Sequence, residues 1–538
     1  MSFSSKLTAL FLGSVMLAGS LNMYTAADNI LSPELTELYT ESESVAELNA
    51  TAFKISNLEE LESFRAGVNT GVLSGYDAVL TADIDISGAE WTPIGTKENP
   101  FMGNFDGAGH TVKGLTITKH REYAGFFGCT QNADISNLKI TDANINISGG
   151  QGAVSAGILA GGVTAMTPSS NVRVDNVCVY GDVSVTLPAD NVYASAICGR
   201  VNVDAGQKTA GTVKITNCNA VGDIKAVSSR KSALAGLITA DLCSYSTRIS
   251  TVENCAAFGN VYANAKTSAF SGIVAANIMS SGSEWLEEND GASLYDVTDT
   301  LVLNCVAGGS ADSYGAVYSQ AGVIEGSTNS YSDVGNCYYL DTSVLSARKP
   351  AGSSIREIEQ YSGTKITAAD IAKTSFLSGK VKLDTNNYWN VKYEMPCLKT
   401  FEPKTYTITV DTGDKETSET YDFVEGTKVT GVVLPELSNN DDKKFVGWDG
   451  SIPLRMPSGN VTITAKWEVL EEIPGDIERD GEVNVKDLVK LTKYLAGFDV
   501  TLTDTEKKLA DVNGDGVVDS RDAVKIARYI AGKEIKLG

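Results

Sequence analysis

Residues 215–226 read ITNCNAVGDIKA. The same pattern, an apolar residue, one free position, Asn, then a small or apolar residue, stands in ISNLKITDANINI at 135, VDNVCVYGDVSV at 174, VENCAAFGNVYA at 252, VLNCVAGGS at 302 and VGNCYYLD at 334. The recurring residues are Asn137, Asn176, Asn217, Asn254, Asn304 and Asn336. A second signature, a small residue and usually Gly before an apolar pair, alternates with the first: AGFFG at 124, AGILAGG at 156, SAICG at 195, AGLITA at 235, SGIVAAN at 271 and AGVIEG at 321. A period of roughly 40 residues holding two short strand-like units predicts a mainly β chain built as a right-handed parallel β-helix, a solenoid with about two rungs per repeat.

Stacking explains the cysteines. Leu138, Val177, Cys218, Cys255, Cys305 and Cys337 follow the repeated Asn, and an inward position there makes a ladder of small hydrophobes. A metal or redox array would need His or carboxylate in the column, and there is none. The Asn ladder reads as a turn repeated at one corner, its amide free to bond neighbouring backbone. The nine Cys are dispersed, with no CxxC, and the only histidines are His110 and His120, so zinc spacing is absent.

The formal charge of -23 disfavours nucleic acid, because phosphate contacts require clustered Lys and Arg. The start MSFSSKLTALFLGSVMLAGSLNMYTAADN, with Lys6, an apolar run from Leu7 to about Leu21, and Thr25 and Ala27 before Asp28, reads as a signal peptide over 1–27. An acidic linker follows at 28–51. No later apolar stretch is long enough to span a membrane, so a secreted, extracellular protein is expected. A helix capped by Asn57, carrying Leu58, Leu61 and Phe64, opens the 52–400 β-helix with its caps. Helical periodicity in ITAADIAKTSFL and the cluster Tyr388, Trp389 and Tyr393 suit a closing cap. A small β-rich module spans 404–469, a linker 470–474, and a last domain 475–538.

FMGNFDGAGHTVKGLTITKHREYAGFFG, followed by ADISNLKI, resembles secreted bacterial β-helix proteins with GLUG-type motifs. YDFVEGTKV, FVGWDG and MPSGNVTITAKW resemble the β-grasp-like repeats of surface proteins related to internalin B. GDIERDGEVNVKDLVKLTKYLAG and ADVNGDGVVDSRDAVKIARYIAG, 35 positions apart (511 − 476), resemble the duplicated loop and helix of a type I dockerin. The third resemblance implies an α-helical domain with two EF-hand-like calcium loops, one ion each, docking onto a cohesin module of a scaffoldin within a cellulosome.

Calcium takes oxygen ligands at loop positions 1, 3, 5, 7, 9 and 12. In the second loop these are Asp511, Asn513, Asp515, the Val517 carbonyl, Asp519 and Asp522, with Gly516 at the sharp turn. The first loop offers Asp476, Glu478, Asp480, the Glu482 carbonyl, Asn484 and Asp487, with Gly481 at the turn. The longer Glu478 crowds its ion, which makes the second loop the better set. Apolar Leu488, Leu491 and Leu495 are expected to pair with Val524, Ile526 and Ile530, and Thr503 with Glu506 to form a capping box between the copies. Cohesin contacts implied by the resemblance are Val485, Lys486, Thr492 and Lys493 in one copy, and Ser520, Arg521, Ala527 and Arg528 in the other.

Asp83, Asp85, Asp106 and His110 form the only cluster with a catalytic look, and turn roles account for them better. Glycosidase carboxylate pairs leave no readable spacing in a β-helix sequence, and neither the Asp pair and Gly-His-Gly of a polygalacturonase-like site nor a nucleophile with a neighbouring His stands in the repeats, so no catalytic residue is assigned. Tyr295, Tyr314, Tyr318, Tyr331, Tyr338 and Tyr339 offer rings for sugar stacking or for packing. The leading expectation is a cellulosome component presenting a β-helix for plant cell-wall polysaccharide binding or degradation. The alternatives are a polysaccharide lyase or O-glycosyl hydrolase on the same scaffold, and a non-catalytic adhesin or spacer.

Overall fold

The structure is a computed structural model. It describes residues 52–202, 211–244, 250–280, 300–328, 332–350, 357–413, 418–438, 443–533 and 536–538. The signal-peptide and acidic-linker readings over 1–51, together with Tyr295 and Tyr331, lie outside the described residues. The chain divides into two compact units: Met1–Thr405 with the short segments Val424–Thr427 and Arg455–Ser458, and the remainder from Tyr406 onward.

The first unit is built from three long parallel sheets of 18, seven and six strands. One circuit shows how they arise. The chain runs through Asn171–Leu187 in the largest sheet, then Val192–Ser195 in the second and Cys198–Val201 in the third. It returns to the largest at Thr212–Thr216. Each strand pairs in parallel with its counterpart one period away, so Val174 sits beside Ile135 and Ile215, and Ala194 beside Ala156 and Ala235. Each repeat is therefore one rung, where two were expected, because its two signatures enter different sheets and never stack on each other.

The position after each repeated Asn faces inward: Leu138, Val177, Cys218, Cys255 and Cys305 are fully buried and Cys337 nearly so. All nine cysteines are free and buried. Burial pushes the Cys178 thiol up to about 12, so such groups pack as small hydrophobes rather than react. The Asn residues share a left-handed backbone, with φ between 51° and 56°. Their amides mostly bond the side chain one rung earlier where backbone was expected: Asn137 donates to Asp106 (2.9 Å), Asn176 to Asn137 (2.8 Å), Asn304 to Asn254 (3.0 Å) and Asn336 to Asn304 (2.8 Å). The ladder is interrupted at Asn217, which donates to Asp175.

The stack is opened by the helix Leu58–Asn69, capped by the Asn57 side chain. Leu61 and Phe64 are buried, whereas Leu58 is 43% exposed and faces away. Phe64 packs edge-on against Phe101, which stacks on Phe127. Fully burying one such side chain contributes about 1.5–3 kcal/mol, and these early rungs are filled by Phe101, Phe105, Phe126 and Phe127. Later rungs narrow to Ala263, Ala311 and Ala321.

The expected closing cap lies elsewhere. Ile366, Ile371, Leu377, Trp389, Leu398 and Phe401 pack along the outer face of the largest sheet, on Tyr180, Ala256, Phe258 and Val306. This segment reaches Asn176 through Thr400 and Asn336 through the Val381 carbonyl, so it runs lengthwise over several rungs. Stretches such as Val177–Tyr180 are buried on both faces for this reason, as continuous apolar runs usually are. Glu425 adds an ion pair with Lys139 at 2.8 Å, nearly closed to solvent.

The second unit contains a four-stranded mixed sheet and three helices. Thr405–Asp411 and Val461–Val469 run parallel, and Lys443–Asp449 pairs antiparallel with the latter. Trp467 closes the sheet with Phe445 by edge contact and donates to the Thr412 carbonyl. The helices are Val485–Leu495, Asp504–Ala510 and Ser520–Ile530.

Candidate functional site

The helices Val485–Leu495 and Ser520–Ile530 are each preceded by a loop, and the two loops share one framework of hydrogen bonds. The opening carboxylate accepts from two amides of its own loop: Asp476 from Asp480 (3.1 Å) and Gly481 (2.9 Å), Asp511 from Asp515 (3.1 Å) and Gly516 (2.7 Å). The closing carboxylate bonds back in the same way, Asp487 to the Glu478 and Asn484 amides, Asp522 to those of Asn513 and Asp519. Asn484 and Asp519 cap their helices with identical dihedrals, φ -142° and ψ -170°. The sharp turn needs a positive φ, and Gly481 (92°) and Gly516 (82°) supply it without a Cβ penalty.

The duplication continues into the core. Ile477, Leu491, Val512 and Ile526 are fully buried, with Leu502, Ala510 and Ala523 around them. Leu488 and Ile530 pack against this core, but Leu495 is 36% and Val524 52% exposed, so those two do not join the expected pairing. Ala523 takes the place expected for Val524, because the face in contact repeats at three-residue steps from Ala523 to Ile526. The Thr503 and Glu506 capping box is present. Lys490 and Lys525, at equivalent positions, each donate to the carbonyl of the buried residue in their loop, Ile477 and Val512.

Two of the differences between the loops change how they are held. Asn513 keeps its side chain inside the second loop, accepting from the Asp515 amide at 2.8 Å. Glu478 instead points toward Lys490, 3.8 Å away. At the next position the second loop has Gly514 at φ 75°, while the first holds Arg479 at φ 56°, a left-handed conformation that costs a side-chain-bearing residue about 1 kcal/mol or more.

Cations stand beside the loop carboxylates. Arg521 contacts Asp515 (2.7 Å) and Asp519 (2.7 Å), and Lys486 contacts Asp480 (3.1 Å). The hydrogen bonds from these side chains hold Asp519 and Asp480 below the usual carboxylate range, whereas burial raises Asp476. Among the described residues no group of three or more His, Cys, Asp or Glu side chains is gathered as a metal cage.

Of the residues expected to meet a partner, Val485, Lys486 and Lys493 line one open depression of ≈ 470 Å³, together with Glu478, Val489, Lys490 and Val500. Val485 is 59% and Val489 42% exposed. Thr492 lies on the same helix, its hydroxyl donating to the Leu488 carbonyl. Ser520, Arg521, Ala527 and Arg528 lie on the second copy's helix. Val489, Lys490 and Val500 were absent from the sequence expectation. The available signal was Val489, one helical turn beyond Val485 and apolar on the face that carries Lys486 and Lys493.

Residues 474–531 match the dockerin type I domain family. The chain carries a type I dockerin. Such a domain is a cellulosome-type docking module whose partner is a cohesin, and its family generally binds calcium. A Gly-rich membrane protein of Evansella cellulosilytica is 32% identical over 105 residues, 19% of this chain and 11% of that one. The chain thus spans 11% of the length of that curated relative. A crystal structure of an immunoglobulin A1 protease from Bacteroides ovatus aligns over 66% of this chain and 94% of its own, with 18% identity and a TM-score of 0.46. No described helix is long and apolar enough to cross a membrane.

The dockerin loops fit calcium by their donor chemistry. Every group at the ligand positions is an oxygen, the preference of a hard cation. Asp487 and Asp522 are fully buried and Asp476 is 2% exposed, and a buried carboxylate is costly unless a positive charge or several donors face it. A bound calcium would supply that charge.

The four residues with a catalytic look hold turns. His110 Nδ1 lies 3.2 Å from Asp83, which also accepts from the Thr111 amide. Asp85 accepts from the Ser87 amide, and Asp106 from the Ala108 amide and Asn137. Tyr339 is buried, and Tyr338 packs on Phe376.

Proposed function

We propose that this protein is a secreted cellulosome component, held by its dockerin on a scaffoldin cohesin and carrying a GLUG-like right-handed β-helix as an adhesive unit for plant cell-wall polysaccharide. The observation that carries the docking half is the hydrogen-bond framework shared by the two loop and helix copies. Two calcium ions complete it, one held by Asp476, Glu478, Asp480, Glu482, Asn484 and Asp487, the other by Asp511, Asn513, Asp515, Val517, Asp519 and Asp522. Glu478 and the strained Arg479 make the first ion the weaker bound. The 404–469 module is a β-grasp-like spacer between the two functional ends. The turn roles of Asp83, Asp106 and His110 support binding over catalysis.

The copies are not interchangeable in this reading. Val485, Lys486 and Lys493 border an apolar-floored depression, whereas Arg521 is tied to two carboxylates of its own loop. The first copy's face dominates cohesin binding. Replacing Val485, Lys486, Thr492 and Lys493 together by Ala is expected to weaken binding at least about tenfold, as removal of an interface centre does. Replacing Ser520, Arg521 and Arg528 by Ala is expected to change it by less than about threefold. Equal losses in calorimetric titrations against a cognate cohesin would refute the asymmetry.

A further inference from the structure

The outer face of the largest sheet changes character late in the stack. Ala256–Ala265 and Val306–Gly315 alternate strictly near their ends, with Ala263, Ala265, Ala311 and Ser313 buried beneath. Their outward partners form a two-by-two array: Tyr262 lies opposite Asp312, and Asn264 opposite Tyr314. The tyrosines thus occupy one diagonal and the polar residues the other, about 7–8 Å corner to corner. On the next strand Ser346 extends the first column and Arg348 the second.

The array is ordered by its own bonds. Asn264 donates to the Tyr262 hydroxyl at 3.0 Å, which fixes that ring. Arg348 grips Asp312 through Nε at 3.2 Å and through a second, shorter contact from Nη2. That hydrogen bonding, with Tyr262 and Tyr314 near enough to contribute, keeps the guanidinium firmly protonated. Tyr262, Tyr314, Asp312 and Asn264 are all half-buried, leaving part of each side chain to solvent.

The geometry points to this face as a binding surface for a neutral, extended polysaccharide, with Tyr262 and Tyr314 each stacking under one sugar ring and Asp312, Asn264 and Arg348 exchanging hydrogen bonds with its hydroxyls. The inference rests on the adhesive reading above and gives it a location and a ligand class. Rigid aromatic side chains present large contact area at small entropic cost, and an ordered array loses less on binding than a mobile one. A flat sheet suits a chain lying across it more than a chain end. A neutral ligand fits best because Arg348 is already matched by Asp312 and the chain carries a formal -23, against which the exposed Lys225, beside Tyr262 on the preceding strand, is a single positive charge.

The test uses the full chain in affinity electrophoresis and calorimetry with soluble β-glucan, xylan, glucomannan and polygalacturonate. Wild type is expected to bind at least one neutral polymer. The pair Tyr262→Thr and Tyr314→Thr, which keeps strand propensity, is expected to lose about tenfold or more in affinity. The Tyr→Phe pair retains the rings and most of the binding, and unfolding and cohesin binding stay at wild-type values in both. A Thr pair that binds like wild type overturns this face and leaves the adhesive reading standing. No binding by wild type to any polymer overturns the adhesive reading and the face with it. Tighter binding to polygalacturonate than to every neutral polymer overturns the ligand class.

Discussion

In excess chelator, the helices Val485–Leu495 and Ser520–Ile530 are expected to unfold while the stacked sheets of residues 52–401 keep their ultraviolet circular dichroism. The dockerin core consists of seven buried residues, three of them Ala or Val, too small a hydrophobic reserve for a 58-residue domain to stand without staples or metal. In the first loop, buried Asp476 is opposed by Asp487 and Asp480, a repulsion that a cation would relieve. Calcium binding would therefore supply folding free energy directly. Cohesin affinity is expected to fall by about a thousandfold or more with chelator. Asp522→Ala in saturating calcium removes a ligand and two bonds to backbone amides, and is expected to cost on the order of a hundredfold. Hydrogen exchange resolves the two regions: fast exchange confined to residues past 470 supports the account, and loss of protection throughout contradicts it.

The second large effect lies at a column of glycines. Gly181, Gly222, Gly259 and Gly309 follow one another across rungs at the bend of the largest sheet, paired in register from Gly222 to Gly259 to Gly309. A Cβ on Gly259 would overlap the Gly222 carbonyl oxygen, and one on Gly309 the Gly259 carbonyl oxygen. Gly259 also has φ 152°, where an L side chain is strained. The obstacle is backbone, which cannot yield as a side-chain tip would, so Gly259→Ala is expected to destabilise the stack by about 3 kcal/mol or more. Gly75, whose Cβ would meet nothing within 4 Å, is the control: Gly75→Ala stays within about 0.5 kcal/mol. Urea denaturation followed by tryptophan fluorescence compares the two, and equal midpoints would remove the steric argument.

Much of this was legible in the sequence because stacking turns spacing into register. The repeated Asn could be followed by eye, and its φ near 50° in every rung explains why Asn, the residue that best tolerates the left-handed region after Gly, recurs there. The duplicated loops were legible for the same reason, since their opening and closing acids recur at fixed spacing and bond the same amides. Rung count was not: two signatures per period look like two rungs until strand pairing shows that they enter different sheets. The lengthwise course of residues 366–401 was also hidden. Its evidence was the unbroken apolar runs at 177–180 and 256–258, buried on both faces, which read equally well as core. In the dockerin helices, Val489 and Val524 carry no mark separating a buried helical valine from an exposed one.

Calorimetric titration of the full chain with a panel of type I cohesins, in millimolar calcium and again in chelator, addresses the central claim most directly. The account predicts saturable one-to-one binding to at least one cohesin in calcium, and its loss in chelator. Failure with every cohesin, or binding of equal strength without calcium, would contradict it.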